Sequence, residues 1–256
     1  MEDQILSQHS DTAAYYGHLR KARALSAQAI ASAKRAESKE TAALWTFNAG
    51  MREMEIGNVA LAKQSIGQAL ALAPTRDVKA LVALLMIRTG DTSGAKKLIT
   101  ELEKNNPTNT MLNFHWLPTL KASIEIQKGH PQAAISLLEI VTPYDLGAAV
   151  YISNMYPVYT RGLAYLAAHD GNNAAVEFQK MLDHPGIVQN DIAGALSRLQ
   201  LARAKSMMGE GENARKEYET FLSLWKDADL EIPVLVAAQT EFKKLKAVAA
   251  VSPHPQ

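Results

Sequence analysis

A glycine followed five positions later by an alanine recurs along this chain, at Gly17/Ala22, Gly57/Ala62, Gly90/Ala95, Gly129/Ala134 and Gly209/Ala214, with Gly171 as a looser sixth member. The glycines lie 40, 33, 39, 42 and 38 residues apart, and self-similarity at such a period marks a solenoid of stacked supersecondary units. Counting back twelve positions from the alanines finds Gly50, Ala83, Ala122 and Ala202, with Gly162 in the corresponding place of the loose repeat. Small residues there let two helices approach closely, so each unit reads as a helical hairpin. Alanine, leucine, lysine and glutamate dominate the intervening residues; these are strong helix formers, and no alternating β-branched pattern is sustained. The expected fold class is all-α, a right-handed superhelix of about six helical hairpins followed by a capping helix.

The fullest set of marks lies between Gly50 and Pro74, where Ala62 and Ala69 add further small residues and Pro74 closes the unit; Pro107 closes the next. Proline stops a helix because it lacks an N–H and its ring clashes with the preceding turn. This arrangement resembles the tetratricopeptide repeat. Period and punctuation predict hairpins over about 3–36, 39–73 and 76–105. A fourth turns at Lys128-Gly129-His130-Pro131, with Pro131 suited to a first helical position. The fifth begins near Leu146, turns at Asp170-Gly171-Asn172 and contains Pro157, which should kink its first helix or mark that helix's true start. The sixth spans about 188–226 and turns around Gly209. A last amphipathic segment, 234–248, places Lys243, Lys244 and Lys246 opposite Val236, Phe242 and Leu245, as a polar cap requires. The chain therefore reads as one array over 1–250 with a disordered tail at 251–256. No helix precedes the first hairpin, which points to more protein upstream.

The formal net charge is +1, so no large basic field is available to neutralise phosphates, and direct nucleic-acid contact is not expected. There is no cysteine, which removes disulfides, thiolate catalysis and the usual structural zinc sites. Met1-Glu2-Asp3-Gln4 does not resemble a secretory leader. The longest uncharged stretch, Leu146 to Thr160, is too short and polar to span a bilayer. The expected setting is the cytoplasm, or a soluble domain of a larger protein.

Wording more specific than repeat chemistry begins at Met155: Tyr156-Pro157-Val158-Tyr159-Thr160-Arg161-Gly162-Leu163-Ala164-Tyr165-Leu166, then Glu177-Phe178-Gln179-Lys180 and Asp183-His184-Pro185-Gly186. Leu201-Ala202-Arg203-Ala204, Tyr218, Phe221-Leu222 and Leu224-Trp225-Lys226-Asp227-Ala228-Asp229, with Pro233 behind, continue it. These residues resemble the C-terminal tetratricopeptide region of large bacterial signalling proteins, in which the array follows a serine/threonine kinase or a winged-helix DNA-binding domain. The resemblance implies a sensory or docking module. No Gly-rich ATP loop, His-Arg-Asp loop or Asp-Phe-Gly is present, so kinase activity would belong to another domain.

The seven histidines include no pair three or four apart, and a metal site is not expected. Asp227, Asp229 and Glu231 lack the rest of a calcium loop and read as solvated linker acids. No cofactor motif or nucleophile motif occurs, so the chain is read as non-enzymatic. The remaining functional surface is the concave face lined by the first helix of each hairpin. Tetratricopeptide register places Phe47, Met51 and Met54 there, then Leu84 and Arg88, then Trp116, Ser123 and Gln127, Tyr156 and Tyr159, and Arg203 and Met207. Aromatic, methionine and arginine side chains suit a protein or peptide partner. Two other readings stand beside this one. The array could be a spacer or self-association element, or a small-ligand sensor whose pocket is formed by Tyr151, Tyr156, Tyr159 and Tyr165.

Overall fold

The computed structural model describes residues 1–147 and 155–251, with side chains through 246. Six antiparallel pairs follow one another: α1 Glu2–Tyr15 with α2 Leu19–Arg35, α3 Lys39–Glu55 with α4 Val59–Leu72, and α5 Arg76–Arg88 with α6 Thr92–Asn105. Then come α7 Leu117–Gln127 with α8 Pro131–Leu138, α9 Tyr156–Ala167 with α10 Gly171–Asp183, and, after the short α11 Pro185–Val188, α12 Ile192–Met207 with α13 Gly211–Leu224. A single helix, α14 Pro233–Val251, ends the array. Six hairpins are present as expected, although the fifth begins its first helix at Tyr156 rather than near Leu146, and Pro74 and Pro107 lie just beyond α4 and α6 as the helix-breaking argument requires.

The repeated glycine has one job. In the first turn Gly17 takes a left-handed φ of 78°, its N–H donates to the Ala14 carbonyl at 2.9 Å, and His18 N–H donates to Ala13 at 2.8 Å. This double closure satisfies carbonyls left free at a helix end. Gly57, Gly90, Gly129 and Gly209 repeat it. In the fifth hairpin the position belongs to His169 (φ 57°), whose following residue, Asp170, donates to the Tyr165 carbonyl at 2.9 Å. Gly171 is instead the first residue of α10, pressed so close to α12 that an added Cβ would meet Met208 Cγ at 2.7 Å. With His169 in register the steps become 40, 33, 39, 40 and 40. Five positions on stands Ala174, fully buried, and twelve before that stands Gly162. The fifth unit therefore keeps the beat that its glycine seemed to break.

The small residues act as expected. A Cβ on Gly50 would meet Ser65 Cβ at 2.6 Å, and one on Gly162 would meet the Phe178 ring at 2.7 Å. In the first hairpin the equivalent place is Ser10, buried, with its hydroxyl donating to the Ala22 carbonyl at 2.7 Å.

The helices form two layers of different character. The outer helix α6 buries only Ala95, Ile99 and Leu102, one stripe at helical spacing. The inner helix α5 buries Val78, every residue from Ala80 to Leu85, and Ile87, a pattern that means burial on all sides. Helices α3, α9 and α12 are buried in the same way. Beyond their hairpin partners, inner helices also meet one another, as α3 meets α5 and α12, and α9 meets α7 and α12.

The array also closes on itself. Trp225 is 2% exposed and its indole N–H donates to the Tyr15 carbonyl at 2.9 Å. Asp229 N–H donates to the Gly17 carbonyl at 3.1 Å, while the Asp229 carboxylate accepts from Arg20 N–H at 2.8 Å and so serves an orphan donor at the start of α2. Further on, Pro233 lies against Gly57 and Val234 N–H donates to the Ile56 carbonyl at 3.2 Å. The segment after α13 thus crosses the turns of the first two hairpins. Asp229 is a structural acid rather than the solvated one expected, whereas Asp227 and Glu231 are exposed.

Two local departures follow from prolines. Pro118 cannot donate in a helix, and the turn ahead of it, Leu112–Trp116, widens to π geometry before continuing as α7. Pro157 stands in the first turn of α9 and marks its start, the second of the two outcomes expected for it. The last helix differs in its buried face: Leu235 and Ala238 are buried, Phe242 and Leu245 partly so, and Val236 is half exposed on the other side.

Candidate partner-binding surface

The face expected to form an open groove is largely interior. Phe47 and Tyr159 are each 1% exposed, and Met51 and Tyr156 are buried with them, as are Leu84 and Ser123. The reason is the curvature of the array: the inner helices close on one another instead of standing apart around a channel. Met54 and Trp116 are partly buried and pack on the same core. Gln127 is exposed at the end of α7, and Met207, 40% exposed, ends α12.

Polar side chains of this face join across the interior. Glu55 of α3 holds Arg88 of α5 at 2.9 Å and accepts the Tyr156 hydroxyl of α9 at 2.7 Å. Tyr156 packs on Tyr159, and Tyr159 meets Phe178 edge-on. Gln200 of α12 donates to the Tyr159 hydroxyl at 3.4 Å and accepts from Arg203 at 3.2 Å. Arg203 in turn grips Glu241 of α14 through two nitrogens at 2.9 and 2.8 Å, and Tyr218 donates to the same carboxylate at 2.8 Å. Burial works against the Arg88 charge, but Glu55 outweighs it and raises the guanidinium pKa. Burial holds the Tyr156 phenol well above its ordinary range, with Arg88 opposing. A charged pair this deep costs desolvation on both sides and is retained only where its hydrogen bonds are complete. Arg88, Tyr156, Tyr159 and Arg203 thus tie five helices together. Tyr151, expected to join a tyrosine pocket, lies outside the described residues.

Two further buried groups were not singled out by sequence. Arg161 of α9 binds Asp145 at 2.5 Å and Glu177 at 2.7 Å, with Lys180 on Asp145 at 3.0 Å, so two cations and two acids balance there. His115 sits in the π turn, 1% exposed, with neither ring nitrogen hydrogen-bonded among the described residues. Burial lowers its pKa to about 4 against a weak pull from Asp145. Arginine in a sequence rich in surface cations carries no mark of burial, and Asp145 lies far enough along the chain that pairing is not readable. His115 had a weak signal, an apolar run broken by Pro118.

Among the described residues no group of three histidine, cysteine or acidic side chains could hold a metal ion, and no helix is long and apolar enough to cross a membrane. No known family model and no curated protein matches the sequence. The chain is similar to the crystal structure of yeast Tom70, a tetratricopeptide-repeat protein, at 14% identity and a TM-score of 0.53, over 92% of this chain and 50% of that one. It spans about half the length of that chain, and likeness at this identity speaks to fold alone. The class is therefore a tetratricopeptide-like, all-α helical repeat array.

Proposed function

We propose that this chain is a non-catalytic protein-interaction module, one array over residues 1–250 that binds a peptide or protein partner. The observation that carries the reading is the repeat architecture itself: stacked hairpins build a wide surface on which a peptide or protein can lie. The partner-contacting members of the expected set are those left at the surface, Gln127 and Met207, while Met54, Arg88, Trp116 and Arg203 are partly buried behind them in the network and core. Phe47, Met51, Tyr156 and Tyr159 serve by holding the inner helices in place. We further place the chain as the C-terminal docking or sensory part of a larger bacterial signalling protein, on the wording from Met155 to Pro233 described above.

A photo-crosslinking residue at Gln127 or Met207 tests the surface. Each should capture one and the same partner, and substitution of the other position by glutamate should reduce that capture. Crosslinks obtained only from the outer layer, for instance from Val176 on α10, would remove these positions from the reading. Light scattering across concentration addresses the spacer reading. The seam, by which Trp225, Asp229 and Val234 join the end of the array to its first two hairpins, occupies surfaces at both ends, so a monomer is expected, and concentration-dependent growth would favour self-association instead.

A further inference from the structure

The seam leaves an open groove between the last hairpin and the first. Tyr15 of α1 lines it on one side, with Arg198 of α12 and Lys216, Glu219, Thr220 and Leu224 of α13 on the other. Tyr15 is held from two directions. Its carbonyl accepts the Trp225 indole N–H, and its ring lies beside Gly194, where an added Cβ would come within 3.4 Å of Tyr15 Cε2.

The charges around the groove do not balance. Arg198 and Lys205 share one carboxylate, Glu217, at 3.3 and 2.7 Å. Arg215 lies 4.0 Å from Glu219, and Lys216 has no carboxylate partner among the described residues. Among the lining residues themselves Arg198 and Lys216 are cationic and Glu219 is the acid. Burial raises the pKa of the Tyr15 phenol, with Arg198 opposing, so the hydroxyl remains a donor at neutral pH. A groove with an unpaired lysine beside an arginine, a tyrosine hydroxyl and an aromatic and aliphatic wall suits an anionic ligand with an apolar stem.

We propose that this groove binds an oxyanion carried on a peptide, a carboxylate or a phosphoryl group, with Lys216 and Arg198 as the charged contacts and Tyr15 as the donor from the opposite hairpin. The proposal rests on the reading of the chain as a protein-binding module but places the contact on a different surface. Because Tyr15 belongs to the first hairpin and the remaining residues to the sixth, an occupant bridges the two ends of the array. Binding and seam closure are then linked: whatever loosens the seam weakens the ligand, and the ligand tightens the seam.

Fluorescence anisotropy of the full chain with labelled hexaglutamate, a phosphoserine peptide and hexaglutamine tests this. One or both anionic peptides should bind and hexaglutamine should not; the tighter of the two identifies the oxyanion. Lys216→Glu should weaken binding about tenfold or more, the scale of one charge-assisted contact. Lys243→Glu, an equal charge change on exposed α14, should leave it unchanged. Asp229→Ala, which touches the seam and does not line the groove, should also weaken binding. Equal losses in Lys216→Glu and Lys243→Glu, no loss in Asp229→Ala, or no binding of either anionic peptide would overturn the proposal. If crosslinks at Gln127 and Met207 persist while these titrations fail, the groove is lost and the interaction module stands.

Discussion

The joint between neighbouring helices within the hairpins and the joint between the last hairpin and the first are built differently. Neighbouring helices meet through small residues: Gly50 against Ser65 and Leu85, Gly162 against Phe178, and a buried alanine after every turn. The seam uses a large aromatic, Trp225, an acid on backbone N–H groups, Asp229, and main-chain bonds to the Gly17 and Ile56 carbonyls. A repeated joint must serve at every step, so its residues recur. The seam occurs once, so its residues have no copies. A linear array is a sum of nearest-neighbour terms, whereas a closed one couples its first and last units.

The strongest way to break this contrast is Trp225→Ala. It removes a buried indole and its hydrogen bond and should cost about 3–5 kcal/mol. Native-state hydrogen exchange should show protection lost together in the first, second and sixth hairpins and kept in the third. Loss spread evenly over all six would mean that the seam is not a separate joint. Acid offers a probe on a unit away from the seam. His115 is held neutral with its pKa near 4, while the unfolded chain carries an ordinary value of 6.5. Its contribution is therefore fully present above pH 6.5, falls as pH drops toward 4, and is flat below that. The expected total is about 3 kcal/mol. His115→Leu should remove that slope in urea titrations run across the pH range; an unchanged slope would assign it to other groups.

Gly50→Val tests the local joint, where the new side chain meets Ser65 and Leu85 with no room to retreat. About 1–3 kcal/mol should be lost, and the lowered protection should centre on the second and third hairpins. The smallest effect runs the other way. His169 is exposed and sits in the left-handed region that every other hairpin turn assigns to glycine. His169→Gly should raise the denaturation midpoint by the equivalent of about 0.5–1 kcal/mol, since relief of backbone strain outweighs glycine's extra freedom when unfolded. A drop would indicate that His169 makes a contact worth more than its strain.

Much of the fold was legible in the sequence because turn closure and helix crossing are local. Gly57 with Ala62, Pro74, and Pro131 at the start of α8 each act on residues within a few turns of themselves. The fifth hairpin misled for the same reason. Histidine can occupy a left-handed position at modest cost, so the glycine two places on took its apparent role. The partner surface was less legible. Phe47, Met51, Tyr156 and Tyr159 sit on the inner faces that register assigns them, but register is blind to how far those faces stand from one another.

The units were legible from the residues alone: helical pairs, their turns, their count, and the small residues at which the two helices cross. Those properties depend on backbone sterics and on contacts between segments a few tens of residues apart, and they repeat. Closure belongs to the folded arrangement, in which the array curls until α12 and the Trp225 segment reach α1 and α3. That closure turns an expected groove into an interior crossed by Glu55, Arg88 and Tyr156, and creates a new groove at Tyr15 and Lys216. Small rotations between successive units add up along a solenoid, and their sum, which no single residue encodes, sets whether the ends meet.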